Sequence, residues 1–150
     1  MNAIFLLGRL IFGGYLIFSG VHHFVDLAEL TQFAAGKGVP MAEAAVIVAG
    51  LLLLPGGLSI VLGWRPDVGI AATVLFLLGV SFPMHNFWAE TGAARTNDFV
   101  NFTKNMALVG GALMFVAIPH PWPYSVGSRT PVRPWIGESM RRPSESGSRP

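Results

Sequence analysis

The chain has 150 residues, of which 52% are hydrophobic and only 12% are charged, and its formal net charge is +2. A soluble domain usually carries about twice that charged fraction, so the composition indicates a membrane protein. The chain contains no cysteine, which excludes disulfides and iron–sulfur clusters held by this chain, and the small net charge argues against a nucleic-acid partner.

Four apolar segments follow one another along the chain, at about residues 3–24, 41–64, 68–88 and 99–118. Each is close to the roughly 20 residues that a helix needs to cross the hydrocarbon core of a bilayer. None alternates with a period of two, and backbone with unpaired polar groups cannot face lipid, so helices are expected rather than barrel strands. The predicted fold is therefore all-α, an integral membrane four-helix bundle formed by residues 1–120 in a lipid bilayer.

The remaining residues, 121–150, are rich in proline, serine and arginine and lack apolar periodicity, which predicts a disordered tail. At its start, Trp122 and Tyr124 are typical of side chains that anchor a protein at the membrane interface. An even number of spans places both termini on one side. That side holds Arg65, Arg129, Arg133, Arg141, Arg142 and Arg149, whereas the other side holds Lys37, Arg95 and Lys104. The positive-inside rule then predicts that both termini are cytoplasmic, in a bacterial inner membrane.

Polar side chains gather at one end of all four predicted spans, the outer end in this topology. They are His22, His23 and Asp26 at the end of the first span, Glu43 at the start of the second, His85, Asn86, Trp88 and Glu90 at the end of the third, and Asn101, Lys104 and Asn105 in the fourth. Ionisable groups are costly in lipid and usually face a protein interior or water. Their coincidence predicts a polar pocket near the outer face of the membrane.

Each of these residues also has a purely structural interpretation. Histidine, tryptophan and lysine are common at membrane interfaces, and lysine can extend to lipid headgroups. Glu43 lies in a first helical turn, where a carboxylate favours the helix dipole. Arg9, near the cytoplasmic end, is expected to reach lipid phosphate.

A metal site is a further possibility, with His22, Asp26 and His85 as candidate ligands for zinc, iron or copper. His22 and Asp26 are four residues apart, so on a continuous helix they share a face and the carboxylate could orient the imidazole. His22 and His23, however, point about 100° apart on a helix, so only one of them can readily face the bundle interior.

Five motifs occur in a characteristic order over about residues 6–118: "LGRLIFGGYLIFSGVHHF", "GVP", "PGGLSIVLGWRPDVG", "MHNFW" and "FTKNMALVGGALM". Together they resemble the DoxX family of small four-helix bacterial membrane proteins. Positions that the family typically fills in the same way are Arg9, His85, Asn86, Lys104 and Asn105. The family takes its name from a subunit associated with thiosulfate and quinol oxidation, so the resemblance implies redox-linked membrane physiology without establishing an enzyme.

The chain departs from the family pattern at two places. Many members carry a lysine where this chain has His22 and His23, and a glutamate where it has Leu53 and Leu54. Because both charges are missing together, we infer that they interact in other members, since one alone would be an unpaired buried charge. The histidine pair could instead exchange protons near neutral pH or ligate a metal.

Three functions are compatible with these residues. The first is a redox-associated subunit whose outer pocket binds the headgroup of a quinone or a similar small molecule; the candidate ligand-binding residues are His22, Glu43, His85, Asn86, Trp88, Asn101, Lys104 and Asn105. His85 or His22 would exchange protons with a carbonyl oxygen, Lys104 would stabilise negative charge, and Trp88 or Phe87 would stack on the ring. A membrane or soluble partner with a flavin or a metal would then carry the electrons. The second is a non-catalytic assembly or stabilising partner of a membrane complex, and the third is the histidine-based metal site.

Overall fold

The structure, a computed structural model, describes residues 2–126. Its elements are α1 (Asn2–Val25), α2 (Leu27–Gly36), α3 (Ala42–Leu62), α4 (Pro66–Met84) and α5 (Gly92–Met114), with short 3-10 turns at Phe87–Ala89 and Phe115–Ala117. Within this range there are no strands. The helices α1, α3, α4 and α5, with the 3-10 turns that extend the last two, are long and apolar enough to cross a membrane. The predicted all-α fold with four spans is confirmed.

Two features lie outside the apolar segments. The short helix α2 connects the first two spans, and α5 begins at Gly92 rather than at residue 99. Hydropathy identifies only the part of a helix that can enter lipid, whereas hydrogen bonding continues through polar turns that water or protein can solvate. Ala93 and Ala94 favour such a continuation because alanine has the highest helix propensity.

Glycines allow α1 and α3, the most extensively packed helix pair, to approach closely. A methyl group added at Gly13 would lie 2.9 Å from the carbonyl oxygen of Gly57, and one at Gly57 would lie 2.7 Å from that of Gly13. Small residues at membrane helix contacts permit this backbone approach. The contact therefore depends on glycine at both positions.

A similar contact joins α3 to α4. A methyl group added at Gly69 would lie 2.6 Å from Cβ of Ser59, and the buried Thr73 donates a hydrogen bond to the carbonyl oxygen of Gly69, 2.8 Å away. Gly69 and Thr73 have the four-residue spacing that favours close helix packing. Beyond this contact, α5 packs on α4, and α2 packs on α3.

At one end of the bundle, here called the Arg9 end, Arg9 is fully buried. Its guanidinium donates hydrogen bonds to the carbonyl oxygens of Ile60 (3.0 Å), Val61 (2.7 Å) and Pro123 (2.6 Å). The last carbonyls of an α-helix lack partners within the helix, and Arg9 supplies them for α3. The expectation that Arg9 reaches lipid phosphate is wrong, because the protein itself provides the acceptors.

The segment after α5 folds back onto the same end. Trp122 is only 1% exposed and packs against Phe5 and Phe115, and the backbone N–H of Val126 donates to the carbonyl oxygen of Leu62. Trp122 is therefore a core residue and not the expected interfacial anchor, because Arg9 and neighbouring aromatic rings pack around it. Residues 127–150, most of the predicted tail, lie outside the described residues.

Candidate functional site

A cavity of about 540 Å³ lies between the helices at the opposite end, here called the α2 end. Most of its lining is apolar and comes from α1, α2, α3 and α4. Its polar side chains are Tyr15, Ser19 and His23 from α1, His85 from the end of α4, and Lys104 and Asn105 from α5. A largely apolar cavity with a few convergent polar groups is the usual form of a small-molecule site.

Hydrogen bonds hold two of these polar groups in place. Asn105 is buried and donates from its side-chain amide to the hydroxyl of Ser81, 3.1 Å away, and that hydroxyl donates to the carbonyl oxygen of Leu77. Lys104 donates to the side-chain oxygen of Asn101 at 2.9 Å. Asn101 therefore lies next to the cavity lining and positions the lysine.

The two adjacent histidines have different surroundings. Nδ1 of His23 lies 2.8 Å from the carbonyl oxygen of Ser19, so Nδ1 carries the proton and donates, which leaves Nε2 available to a ligand. The ring stands edge-on to Phe76 at 5.7 Å. His22 is exposed, and its ring packs against Phe18 on the outside of the bundle. The sequence thus placed one histidine inside, but it is His23 that lines the cavity.

A charged cluster closes the α2 end. The ammonium group of Lys37 donates to a carboxylate oxygen of Glu90 and to one of Asp98, each at 2.7 Å. The other oxygen of Asp98 lies 3.6 Å from Nδ1 of His85, which has no hydrogen-bond partner among the described residues. The hydrogen bonds from Lys37, to Asp98 first and then to Glu90, raise the pKa of its side chain. The cluster therefore links the α2 segment to α4 and α5.

Asp98 was not identified from the sequence as a site residue, although it is almost fully buried (3% exposed). The predicted fourth span began at residue 99, which left Asp98 in a loop. Its spacing of seven residues from Asn105 was the available signal, because on a continuous helix this spacing places both side chains on one face. Asp98 and Asn105 are the two buried polar residues of α5, and they lie on the same face of the helix.

Of the predicted ligand-binding residues, three line the cavity: His85, Lys104 and Asn105. The others lie elsewhere. Glu43 and His22 are exposed, Asn101 is beside Lys104, and Asn86 is half-buried with its side-chain oxygen unpaired within residues 2–126. Trp88 is 57% exposed and packs with Phe82, Phe87 and Phe102 in an aromatic cluster.

The candidate metal ligands are not brought together. Among residues 2–126 the structure contains no group of three histidine, aspartate or glutamate side chains placed to hold a metal ion. The continuous helix assumed for His22 and Asp26 is interrupted, since α1 ends at Val25 and Asp26 precedes α2. His85 faces Asp98 instead.

Much of the chain is similar in sequence to known proteins. The DoxX family model matches residues 4–86. Inner membrane protein YphA of Escherichia coli (strain K12) is 32% identical over 98 residues, which cover 65% of this chain and 69% of that protein. No solved structure matches the chain. The family match includes His23 and His85, whereas Asp98, Lys104 and Asn105 lie beyond it.

Proposed function

The chain belongs to the DoxX family and is a multi-pass protein of the inner membrane, and from this we propose that it is a redox-associated subunit that binds a quinone-like molecule in its cavity. The observation that carries the proposal is the convergence of His85, Lys104 and Asn105 on one apolar cavity. An apolar lining with a few placed polar groups suits a ligand that has an apolar body and hydrogen-bonding oxygens.

The chemistry of these groups suits a quinone ring. A quinone oxygen accepts hydrogen bonds, and it gains negative charge when the ring is reduced. Lys104 would stabilise that charge, and an imidazole of His23 or His85 would exchange the accompanying proton. Phe33 and Phe76, which line the cavity, offer the ring contact that was expected from Trp88 and Phe87.

The electrons would come from, or pass to, a partner protein. This chain has no cysteine for an iron–sulfur cluster, and aromatic, histidine and lysine side chains are not themselves the usual electron carriers. A membrane-bound or soluble partner with a flavin or a metal centre would complete the reaction. We therefore propose a subunit rather than a complete oxidoreductase.

The test is native mass spectrometry of the protein extracted from its own membrane in mild detergent. We expect wild type to carry a small redox-active molecule that is lost from His23→Ala, His85→Ala and Lys104→Ala. His22→Ala is the matched control, since it removes the neighbouring imidazole that lies outside the cavity, and it should retain the molecule.

The alternative, a non-catalytic assembly partner, predicts a different result. In that case wild type carries only lipid, or a partner protein that all four variants retain. This outcome would reject the ligand-binding role, and the polar cluster would then be a structural feature of a scaffold.

A further inference from the structure

The cavity has a side opening that faces the bilayer. Two of its lining residues, Val48 on α3 and Leu75 on α4, are 54% and 63% exposed on the bundle surface. Both belong to helices that can cross a membrane, so in the bilayer these side chains meet lipid chains rather than water. The rim between α3 and α4 is therefore a mouth within the hydrocarbon region.

The close contacts that glycines make between the two helices lie on one side of this mouth. Gly56, Ser59 and Gly69 join them toward the Arg9 end. Farther along α4, Gly79 also lines the cavity, and a methyl group added there would have no neighbour within 4 Å. The gap is open at this position because no side chain fills it.

A proline makes the same rim more polar. Pro83, also a lining residue, has no backbone N–H, so the carbonyl oxygen of Gly79 lacks its usual helical partner. A free carbonyl inside a span needs another donor or water. The mouth can therefore pass a polar head at lower cost than an all-apolar rim would allow.

The aqueous end of the cavity is covered. Leu30, Phe33 and Ala34 of α2 line the cavity from that side, and Ala34 is only 3% exposed. Lys37, one residue beyond α2, is held by Glu90 and Asp98. The α2 segment is thus fastened over the end that faces water.

We propose that the ligand is a membrane-dissolved amphiphile that enters sideways between α3 and α4. This inference rests on the proposed function and specifies its ligand class: a hydrogen-bonding head lies against His85 and Lys104, and a hydrocarbon chain remains at the mouth beside Val48 and Leu75. Leaving the chain in lipid costs little, because lipid chains are as apolar as the side chains of the rim.

The experiment uses a benzoquinone with a decyl chain that ends in a photoreactive diazirine, added to the full chain in phospholipid nanodiscs. After irradiation, labelled peptides are mapped by mass spectrometry, and only labelling that an excess of plain decylbenzoquinone suppresses is counted. We expect saturable labelling of α3 and α4 near Val48 and Leu75. It should fall about tenfold in Val48→Trp, whose larger side chain narrows the mouth.

The matched control is Leu51→Trp, which places the same side chain on α3 at a residue that is 57% exposed but is not part of the lining. The Leu51→Trp variant should show the same saturable labelling as wild type. Saturable labelling that depends on His23 and Lys104 but maps to α2, or that is unchanged in Val48→Trp, would overturn the lateral route while the ligand site stands. If no labelling is saturable, the proposed function itself fails.

Discussion

A buried arginine and a half-buried lysine stabilise opposite ends of this protein by different means. Arg9 donates to three carbonyl oxygens and lies 5.3 Å from the ring of Trp122, so neutral dipoles and an aromatic face solvate its charge. Lys37 instead pairs with two carboxylates. The planar guanidinium suits several acceptors in fixed directions, whereas the ammonium acts as a compact point charge.

Gly63 leaves space for the side chain of Arg9. It ends α3 with φ of 66°, and a methyl group added there would lie 2.7 Å from Nη2 of Arg9. Gly38 has φ of 77° and no neighbour within 4 Å of such a methyl group. We expect Gly38→Ala to cost about 1–2 kcal/mol of backbone strain and Gly63→Ala to cost about 1–3 kcal/mol more. Denaturant unfolding in micelles would measure both free energies of unfolding. Equal losses of stability in the two variants would contradict the close contact between residue 63 and Arg9.

The pairing of Lys37 predicts a pH dependence. Because folding raises the pKa of Lys37, its contribution to stability is complete below the ordinary lysine pKa of about 10.4 and is lost as pH rises through the raised value. Lys37→Gln should cost about 1–3 kcal/mol at pH 7, since it leaves buried Asp98 without its cation. Thermal unfolding should be measured from pH 7 to 11. The difference in midpoint temperature between wild type and Lys37→Gln should become smaller at the alkaline end of this range.

The control for this prediction is Arg95→Gln, which removes an exposed cation from the same end of the bundle. It should change stability by less than about 0.5 kcal/mol at every pH. A loss equal to that of Lys37→Gln would mean that net charge, rather than the specific cluster, stabilises this end.

At the scale of elements, the bundle is organised by how closely helices approach one another. Glycine pairs bring α1 to α3 and α3 to α4, whereas α4 meets α5 through the polar contact of Ser81 with Asn105. Without a hydrophobic driving force inside lipid, backbone proximity and interhelical hydrogen bonds determine which helices associate. The cavity lies toward the α2 end, beyond the close contact of Gly56 and Ser59 with Gly69.

A pair of neighbouring glycines tests the α1–α3 contact. A methyl group at Gly13 would lie 2.6 Å from Cγ2 of Val61, whereas one at Gly14 would have no neighbour within 4 Å. Gly13→Ala should cost about 1–3 kcal/mol through overpacking, and Gly14→Ala should be neutral or stabilise the helix by up to about 1 kcal/mol. If both variants unfold at the same denaturant concentration as wild type, the close contact does not determine stability.

The whole molecule is asymmetric from end to end. The Arg9 end is closed by a buried arginine, aromatic packing and the returning segment through Val126. The α2 end contains the cavity, the charged cluster and most of the polar side chains. The cavity and the polar groups that line it are thus placed toward one end of the bundle.

Orientation can be tested directly because the chain has no native cysteine. Trp64, which is 62% exposed beside the Arg9 end, and Thr91, exposed at the α2 end, are suitable single positions. If the positive-inside prediction is correct, Thr91→Cys reacts with a membrane-impermeant maleimide in cells with a permeable outer membrane. Trp64→Cys should then react only after the inner membrane is broken. The reverse pattern would place the cavity on the cytoplasmic side.

The membrane spans could be predicted from the sequence because the cost of polar groups in lipid constrains every residue of a span in the same way. The same reasoning identified His85, Lys104 and Asn105, since polar side chains in spans tend to face inward. It also assigned a purely local role to Arg9, whose acceptors on α3 and at Pro123 are distant along the chain.

Tertiary structure alone decided which side chains meet. His23, rather than His22, lines the cavity because of the rotation of α1 about its axis relative to α3. The glycine contacts determine this rotation, and the hydropathy of α1 does not reveal it. The pairing of Lys37 with Asp98 joins residues that are 61 positions apart. Composition and periodicity report how each segment interacts with lipid, whereas the cavity arises from the angles and distances between helices, which depend on packing across the whole bundle.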